Sequence, residues 1–463
     1  MTETRIAGRQ PTVVDLFAGP GGLSEGFRQA GFAVVAQVEK DPWACRTLAT
    51  RSVFAFLQST DSLGAYDEYL KGTQSFDELL ALFPGLSDLV MRTVLRREMG
   101  ACRHEDLVSE IQSAARQCSG EPHVDVLVGG PPCQAYSVAG RSRDTRRMNG
   151  DSRHGLYQHY LRVLAALEPS FFVFENVPGL LSAKNDGEQV LARILQDFEE
   201  LQPKYHIARL NGEALPCLRD HVLNCAHYGV PQQRRRVILL GYKESIVQEN
   251  PNCALVAQQL AAEARPSHLS NVSDAIADLP HLYPGEGSDR WWGEYPTPSL
   301  SSFQSRMRSE SLGVVNHRAR RHMPSDVERY RYMIQQAESS QHPIALQEMI
   351  RLRPDLKPAH RNLDGFQDRY RVQMWDAPAS TITSHLHKDG HHYIHPDPEQ
   401  HRSFTVREAA RCQSFPDDYF FEGPRTEQFR QVGNAVPPGL ALVIASVLLG
   451  ALHNGARTGT QDE

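Results

Sequence analysis

Four stretches of this chain hold residues whose types and spacing could do chemistry. The first is Gly129-Gly-Pro-Pro-Cys133. A thiolate is a strong nucleophile, although a lone cysteine is more often a buried structural thiol. Here the neighbours favour the reactive reading. Two prolines fix the backbone before the sulfur, so it points one way at little entropic cost. Val124 to Val128 is almost continuously apolar and reads as a buried strand ending in a tight loop. Cys133 then stands at the C-terminal lip of a strand, where open α/β sheets hold their ligands. The second stretch is Glu175, directly after the apolar run Phe171 to Phe174. It falls on the same ligand edge, or is simply an exposed strand-end acid. The third is Arg234-Arg-Arg236, running into Val237 to Gly241. Arginines entering a buried strand are costly unless some meet anions. Alternation sends Arg234 and Arg236 to one face and Arg235 to the other. The fourth is Ala18-Gly-Pro-Gly-Gly22, followed later by Glu39. A glycine turn with an acid roughly 20 residues on marks a nucleoside-binding unit whose acid takes the ribose hydroxyls. Alone, such glycines are as often a tight turn.

These residues need elements to position them. Thr12 to Phe17 reads as a strand, Leu23 to Ala30 as a helix stopped by Gly31, and Ala33 to Val38 as a second strand. Asp41-Pro42 is an N-cap and first-turn pair that opens another helix. Residues 52–120 interrupt the alternation with helical spacing at Tyr66 to Leu70, Phe76 to Phe83 and Leu89 to Met99, so a helical insertion is expected there. Between Cys133 and a helix over Leu156 to Leu167 lies Arg141 to Gly155, polar and arginine-rich. It is a solvated loop or, beside a nucleophile, a phosphate-contacting one. From Lys243 the strand–helix alternation stops and Pro, Ser, His and Trp rise. His385, His387, His391, His392 and His395 crowd one stretch, but without zinc-ligand spacing, and no metal is expected. Thr405 and Glu408 form a capping box that opens a helix to Gln413. Leu440 to Leu452 is apolar but short for a bilayer and reads as a core helix; no membrane association is expected.

Composition is ordinary for a globular protein: 463 residues, 40% hydrophobic and 22% charged. The net charge of −6 means that any nucleic-acid binding rests on local basic patches. Eight cysteines without a C-x-x-C pair suggest neither a disulfide framework nor a zinc site, and fit a reducing intracellular compartment.

Taken in order, the motifs resemble those of the cytosine-5 DNA methyltransferase family. Asp15-Leu-Phe-Ala-Gly-Pro-Gly-Gly22 looks like the family's S-adenosylmethionine loop and Pro131-Pro-Cys-Gln134 like its nucleophile loop. Glu175-Asn-Val177 looks like its acidic motif and Gln233-Arg-Arg-Arg236 like its arginine motif. Arg407-Glu-Ala-Ala-Arg411 and Gly433-Asn-Ala-Val436 look like the two motifs after the target-recognition domain. The likeness covers Val14 to Tyr242 apart from the insertion, and again about Asp376 to Ala445.

The resemblance implies an α/β, Rossmann-like catalytic domain with a mostly parallel sheet and helices on both faces. It spans residues 1–242 with the insertion at 52–120. A smaller, irregular target-recognition domain follows over 243–400, and 401–463 returns to the catalytic domain. The implied activity is methyl transfer from S-adenosylmethionine to C5 of a cytosine flipped out of duplex DNA. Cys133 would add to C6, Glu175 would meet N3, Asn176 would hold the loop, and Arg234 and Arg236 would orient the base's O2 and the carboxylate. Phe17, Gly19, Gly21 and Pro132 would line the cofactor pocket, Glu39 would take the ribose hydroxyls, and Asn434, Ala435 and Val436 would meet the methionine end. The family's acid for the adenine amine is blurred by the insertion; Asp61 and Asp106 are the candidates. A monomer is expected, in a prokaryotic cytoplasm, with a cognate restriction endonuclease as a possible functional companion. The rivals are a tRNA cytosine-5 methyltransferase on the same scaffold and a catalytically dead DNA-binding protein. The long variable segment favours duplex DNA.

Overall fold

A computed structural model describes residues 9–132, 155–185, 188–208, 218–311, 313–359 and 369–456. Cys133 and most of the arginine-rich stretch after it lie outside the described residues. The chain begins as strand β1 (Thr12–Leu16), helix α1 (Gly22–Gln29) and strand β2 (Ala33–Glu39). Asp41 caps α2 (Pro42–Ser59), its carboxylate accepting from the N–H of Trp43 and Ala44. Three short helices follow, α3 (Leu63–Lys71), α4 (Phe76–Leu82) and α5 (Leu86–Thr93). Then come strand β3 (Val94–Arg96), helix α6 (His104–Ser119), strand β4 (Val126–Gly129), helix α7 (Leu156–Leu167) and strand β5 (Phe171–Asn176). Strands β6 (Tyr205–Ile207), β7 (Val222–Asn224) and β8 (Arg235–Lys243) complete the sheet.

The sheet has eight strands in the order β3-β2-β1-β4-β5-β8-β6, with β7 also pairing β8. β3, β2, β1, β4 and β5 run parallel, and β8 is antiparallel to β5, β6 and β7. The strand order reverses between β1 and β4, which opens a crevice at their C-terminal ends. Successive residues bury on opposite faces. Leu127, Phe172, Phe174 and Leu239 pack with α6, α7 and the helix Val190–Glu199. Val126, Val128, Phe171 and Leu240 pack with α1, the helix Val256–Ala262 and the C-terminal helix Pro438–Ala456. Burying each such Phe or Leu contributes about 1.5–3 kcal/mol. Gly26 allows the C-terminal helix to approach α1, since a Cβ there would lie 2.4 Å from that of Ala441.

That C-terminal helix is longer than the apolar run read from the sequence. With the helix before it, Arg425–His453 is long and apolar enough to cross a membrane. Leu440, Ile444, Ala445 and Leu448 are instead buried against α1 and the sheet, so it is a core helix.

The expected insertion needs correcting. Leu89 to Met99 is not one helical stretch: α5 ends at Thr93, and Val94–Arg96 joins the sheet beside β2. Helix α6 is a sheet-packing helix of the parallel half. The helical surplus is therefore α3 to α5, which with α2 forms its own apolar cluster around Phe54, Tyr66, Tyr69 and Leu79. The pattern change at Lys243 coincides with the end of β8, yet Val256 and Leu260 still pack on the sheet. A separate small core, Tyr330, Met333, Leu346, Met349 and Ile394 among others, marks the irregular region.

Buried charges tie these parts together. Arg51 on α2 donates Nε and Nη2 to Glu25 of α1 at 2.8 and 2.6 Å, and Nη1 to Asp418 at 2.8 Å. Burial raises the Glu25 carboxyl, but the two-pronged guanidinium outweighs it and brings it down to about 2. Asp418 receives one prong, and burial leaves it raised, at about 6. The helix Val406–Cys412 has the expected capping box and is a hub. Arg407 donates to the carbonyls of Val315, Pro416 and Tyr419, while Arg411 meets Asp278 and Asp417. Removing one partner of such a buried pair typically costs about 3–5 kcal/mol.

Candidate active site

The glycine turn after β1 is built from unusual backbone. Phe17 has φ 57° and Gly19 φ 54°. The first costs free energy for a side-chain-bearing residue and marks a constrained site. A Cβ on Gly19 would meet nothing within 4 Å, so the turn's surface there is open. Glu39, at the end of β2, closes the turn. Its Oε2 accepts from Gly19 N–H at 2.8 Å, and its Oε1 from Lys40 and Asp41 N–H at 2.8 and 2.9 Å. A carboxylate has about four acceptor positions, so Glu39 keeps capacity for hydroxyls in front of the turn.

Gly21 serves differently from the expectation. It is the left-handed N-cap of α1 at φ 87°, and a Cβ there would lie 2.6 Å from Leu48 Cδ2. It shapes the turn from behind. Gly22 admits the chain after Asn434, since its Cβ would fall 1.9 Å from the Val436 carbonyl oxygen.

Asp15, under the same turn, is buried and accepts from Ser24 N–H and Oγ–H at 3.2 and 2.5 Å. Burial pushes its carboxyl up to about 7 against the pull of Ser24. A carboxyl raised in the folded state contributes stability that is full below about pH 4 and lost as pH rises through 7. Asp15→Asn should therefore gain melting temperature relative to the wild type between about pH 5 and 8. Parallel melting curves for the two proteins across that range would contradict this.

At the other end of the crevice, Glu175 and Arg236 form an ion pair, Oε1 to Nε at 2.8 Å, with both side chains nearly buried. Their meeting is set by register. β5 and β8 pair Glu175 with Ile238 and Asn176 with Val237, which brings the start of β8 beside the end of β5. Gly130 makes room for the carboxylate: a Cβ there would lie 2.8 Å from Glu175 Oε2. Gly130→Ala should displace Glu175 and lower turnover about 100-fold, since misplacement on the order of 1 Å suffices for that. The melting temperature should change little, and an unaltered kcat would refute the role. Asn176 accepts from Val177 N–H at 2.8 Å and donates to the Pro131 carbonyl at 3.4 Å, tying β5 to the loop after β4.

Arg234 does not share the Glu175 pair. Its guanidinium, 1% exposed, donates to the carbonyls of Ile382, Ala435 and Gly433 at 2.6, 2.8 and 3.4 Å. Burial and Arg236 lower it to about 9.

One continuous cavity of about 1360 Å³ joins the two ends. Phe17, Gly19, Glu39, Pro132, Glu175, Arg234, Arg236, Asn434, Ala435 and Val436 all line it, and Gly21 does not. Pro132 brings the chain to the wall one residue before Cys133, which lies outside the described residues. Neither Asp61 nor Asp106 is at the cavity. The wall after β3 is Arg97 to Ala101 instead, with Glu98 held by Lys40 Nζ at 3.0 Å. Sequence reasoning missed Glu98 because a three-residue strand has no period to detect. Of the histidines, His385 and His387 line the cavity, His391 stacks on Tyr370, and His395 reaches Glu408 at 3.5 Å. Among the described residues no three His, Cys, Asp or Glu converge as a metal site.

Comparison with known proteins bears on the family and the fold. A sequence model of the family described as C-5 cytosine-specific DNA methylase matches residues 11–84 and 104–450. Type II methyltransferase M.Bpa9945I of Bacillus paralicheniformis is 40% identical over 451 residues, covering 94% of this chain and 97% of that protein. Type II methyltransferase M.DdeI of Desulfomicrobium norvegicum is 31% identical, covering 94% of this chain and 87% of its own. Among solved structures, a putative DNA modification methyltransferase encoded within a prophage of E. coli superposes with a TM-score of 0.58. It is 20% identical and covers 96% of this chain and 99% of its own, a likeness of fold.

Proposed function

The chain belongs to the C-5 cytosine-specific DNA methylase family, and from that premise we propose how its cavity works. The activity is that of a DNA cytosine-5 methyltransferase of the type II restriction–modification class. The glycine-turn end of the cavity holds S-adenosylmethionine, and the Glu175–Arg236 end holds a cytosine from duplex DNA. The residues present fit such a cofactor: an open Gly19 surface, an acid with spare acceptor positions, and an exposed Asn434 on the cavity wall. Glu98, on the cavity wall after β3, would be the acid that meets the adenine amine. When bound, S-adenosylmethionine supplies the methyl group for C5.

C5 of cytosine is a poor nucleophile until a group adds at C6. The Cys133 thiolate forms that bond, and the displaced ring electrons make C5 an enamine carbon. Glu175 holds the proton at N3, and Arg236 fixes both the carboxylate and the base's O2. After methylation a water molecule takes the C5 proton, the C–H electron pair re-forms the C5–C6 double bond, and the C6–sulfur bond breaks to release the Cys133 thiolate. Stacked neighbours cover both faces of the ring where sulfur must approach C6, so the base must leave the helix at a cost of roughly a few kcal/mol. The arginines between Arg141 and Gly155, which lie outside the described residues, would supply phosphate contacts. A restriction endonuclease of the same specificity is the functional companion.

The observation that supports this most is the single cavity in which the glycine turn and the Glu175–Arg236 pair face one space. The test is bisulfite sequencing of plasmid from a methylation-free host expressing the chain, beside a Cys133→Ala control. Protected cytosines in one recurring context, absent in the control, are expected. Unprotected DNA together with methylated tRNA would overturn the choice of substrate.

A further inference from the structure

Helices α6 and α7 meet at a pair of imidazoles that the mechanism above does not use. His104 is the first residue of α6, and His159 lies one turn into α7. His104 Nε2 and His159 Nδ1 stand 2.7 Å apart, with the ring planes at 10° and the ring centres 4.9 Å from each other. Those values describe two nearly coplanar rings joined nitrogen to nitrogen by a hydrogen bond. Burial, His104 and Arg162 push the His159 imidazole below its ordinary value, so it is neutral at pH 7. A neutral imidazole has one N–H and one bare nitrogen, so one ring donates to the other. The bond fixes the direction in which the His159 ring lies.

The other nitrogen of His159 faces the chain after β3. A Cβ on Gly100 would lie 2.9 Å from His159 Nε2, and Gly100 has φ 95°, where a side chain would be strained. The backbone there rests directly on the imidazole. Ala101 N–H donates to the Glu98 carbonyl at 3.0 Å, so Gly100 sits inside the turn that Glu98 opens. Arg97 to Ala101 and His159 line the same cavity. Where the loop leaves β3, Arg97 N–H donates to the Glu39 carbonyl at 2.9 Å. The pairing of Glu98 with Lys40 is exposed on both sides and holds little. The Gly100 end of the turn therefore takes its place from the His159 ring, and that ring takes its direction from His104.

We propose that His104 is a positioning residue for the cofactor: it holds the His159 ring against Gly100 and so sets where the Glu98 turn stands on the cavity wall. The proposal rests on the functional reading above, which puts the cofactor at that wall.

The probe is S-adenosylhomocysteine, which occupies the cofactor site without turnover. Its affinity is measured by calorimetry, without DNA, in two variants of like polarity and different reach. In His104→Gln the side-chain amide arrives at the place of the imidazole Nε2. In His104→Asn it stops at the place of Nδ1, short of His159. His104→Asn should weaken the probe about five- to tenfold, the worth of one ordinary hydrogen bond, and His104→Gln should stay within about twofold of the wild type. Melting temperature and DNA affinity are measured beside it and should differ little among the three proteins. A merely structural role would weaken the probe alike in both variants, because both lose the imidazole. Equal weakening overturns the proposal, and so does unaltered affinity in His104→Asn. If His104→Asn does not fold, His159→Gln, which carries its amide past the place of Nδ1, becomes the deciding variant. It should weaken the probe as much, and wild-type affinity in it overturns the proposal. Methyl transfer by the wild type is assayed in the same preparations. A wild type that binds the probe and transfers methyl, with no difference between Asn and Gln at 104, fails the positioning role alone. A wild type that does neither fails the functional reading with it.

Discussion

Glu175→Gln is expected to lower kcat for methyl transfer about 10²–10⁴-fold, the range of a positioned acid–base group. The geometry gives the reason. Oε1 is held at 2.8 Å by Arg236 Nε, and Gly130 leaves the other oxygen room at the cavity. Gln is nearly isosteric, so shape and burial persist while the proton-handling carboxyl is lost. It also leaves Arg236 without its counter-charge in a site where the guanidinium is 11% exposed. KM for DNA should move far less than kcat, because the lost interaction strengthens as charge develops on the ring. Single-turnover methylation at saturating DNA measures this. An unchanged rate would remove Glu175 from the chemistry.

Cys133→Ala should bring methyl transfer to the assay floor, a loss of roughly 10⁴-fold or more. DNA binding should remain, since affinity for nucleic acid rests mainly on phosphate contacts. A duplex with 5-fluorocytosine at the target gives an independent readout. Fluorine at C5 cannot leave as a proton does, so the sulfur stays bonded to C6. The wild type should appear as a covalent complex on a denaturing gel, and Cys133→Ala should not. Loss of DNA binding together with methyl transfer would instead make Cys133 a structural thiol.

The parts of the fold that were legible in the sequence are local. The order strand, glycine turn, helix, strand, acid appears as β1, α1, β2 and Glu39. Asp41 and Thr405 cap the helices expected of them, because a cap is decided by the next three residues. The apolar runs before Cys133 and Glu175 became β4 and β5 for the same reason: continuous burial shows in consecutive residues.

What the sequence could not decide depends on residues far apart in it. Val94–Arg96 becomes a strand because β2 offers it an edge, and its own three residues carry no period. With β3 unseen, Asp61 and Asp106 were the candidate acids, and neither lines the cavity, whereas Glu98 after β3 does. The alternation that paired Arg234 with Arg236 on one face was sound, but it could not say which guanidinium meets the carboxylate. That is settled by the antiparallel register of β8 on β5, which puts Arg236 against Glu175. Arg234 is left among carbonyls contributed by Ile382 and Ala435, 148 and 201 residues away. The sequence by itself determined which groups could react and which short elements carry them. The tertiary structure alone decided which charges meet, because an ion pair is a matter of a few ångströms and register across a sheet is fixed only when distant strands pack.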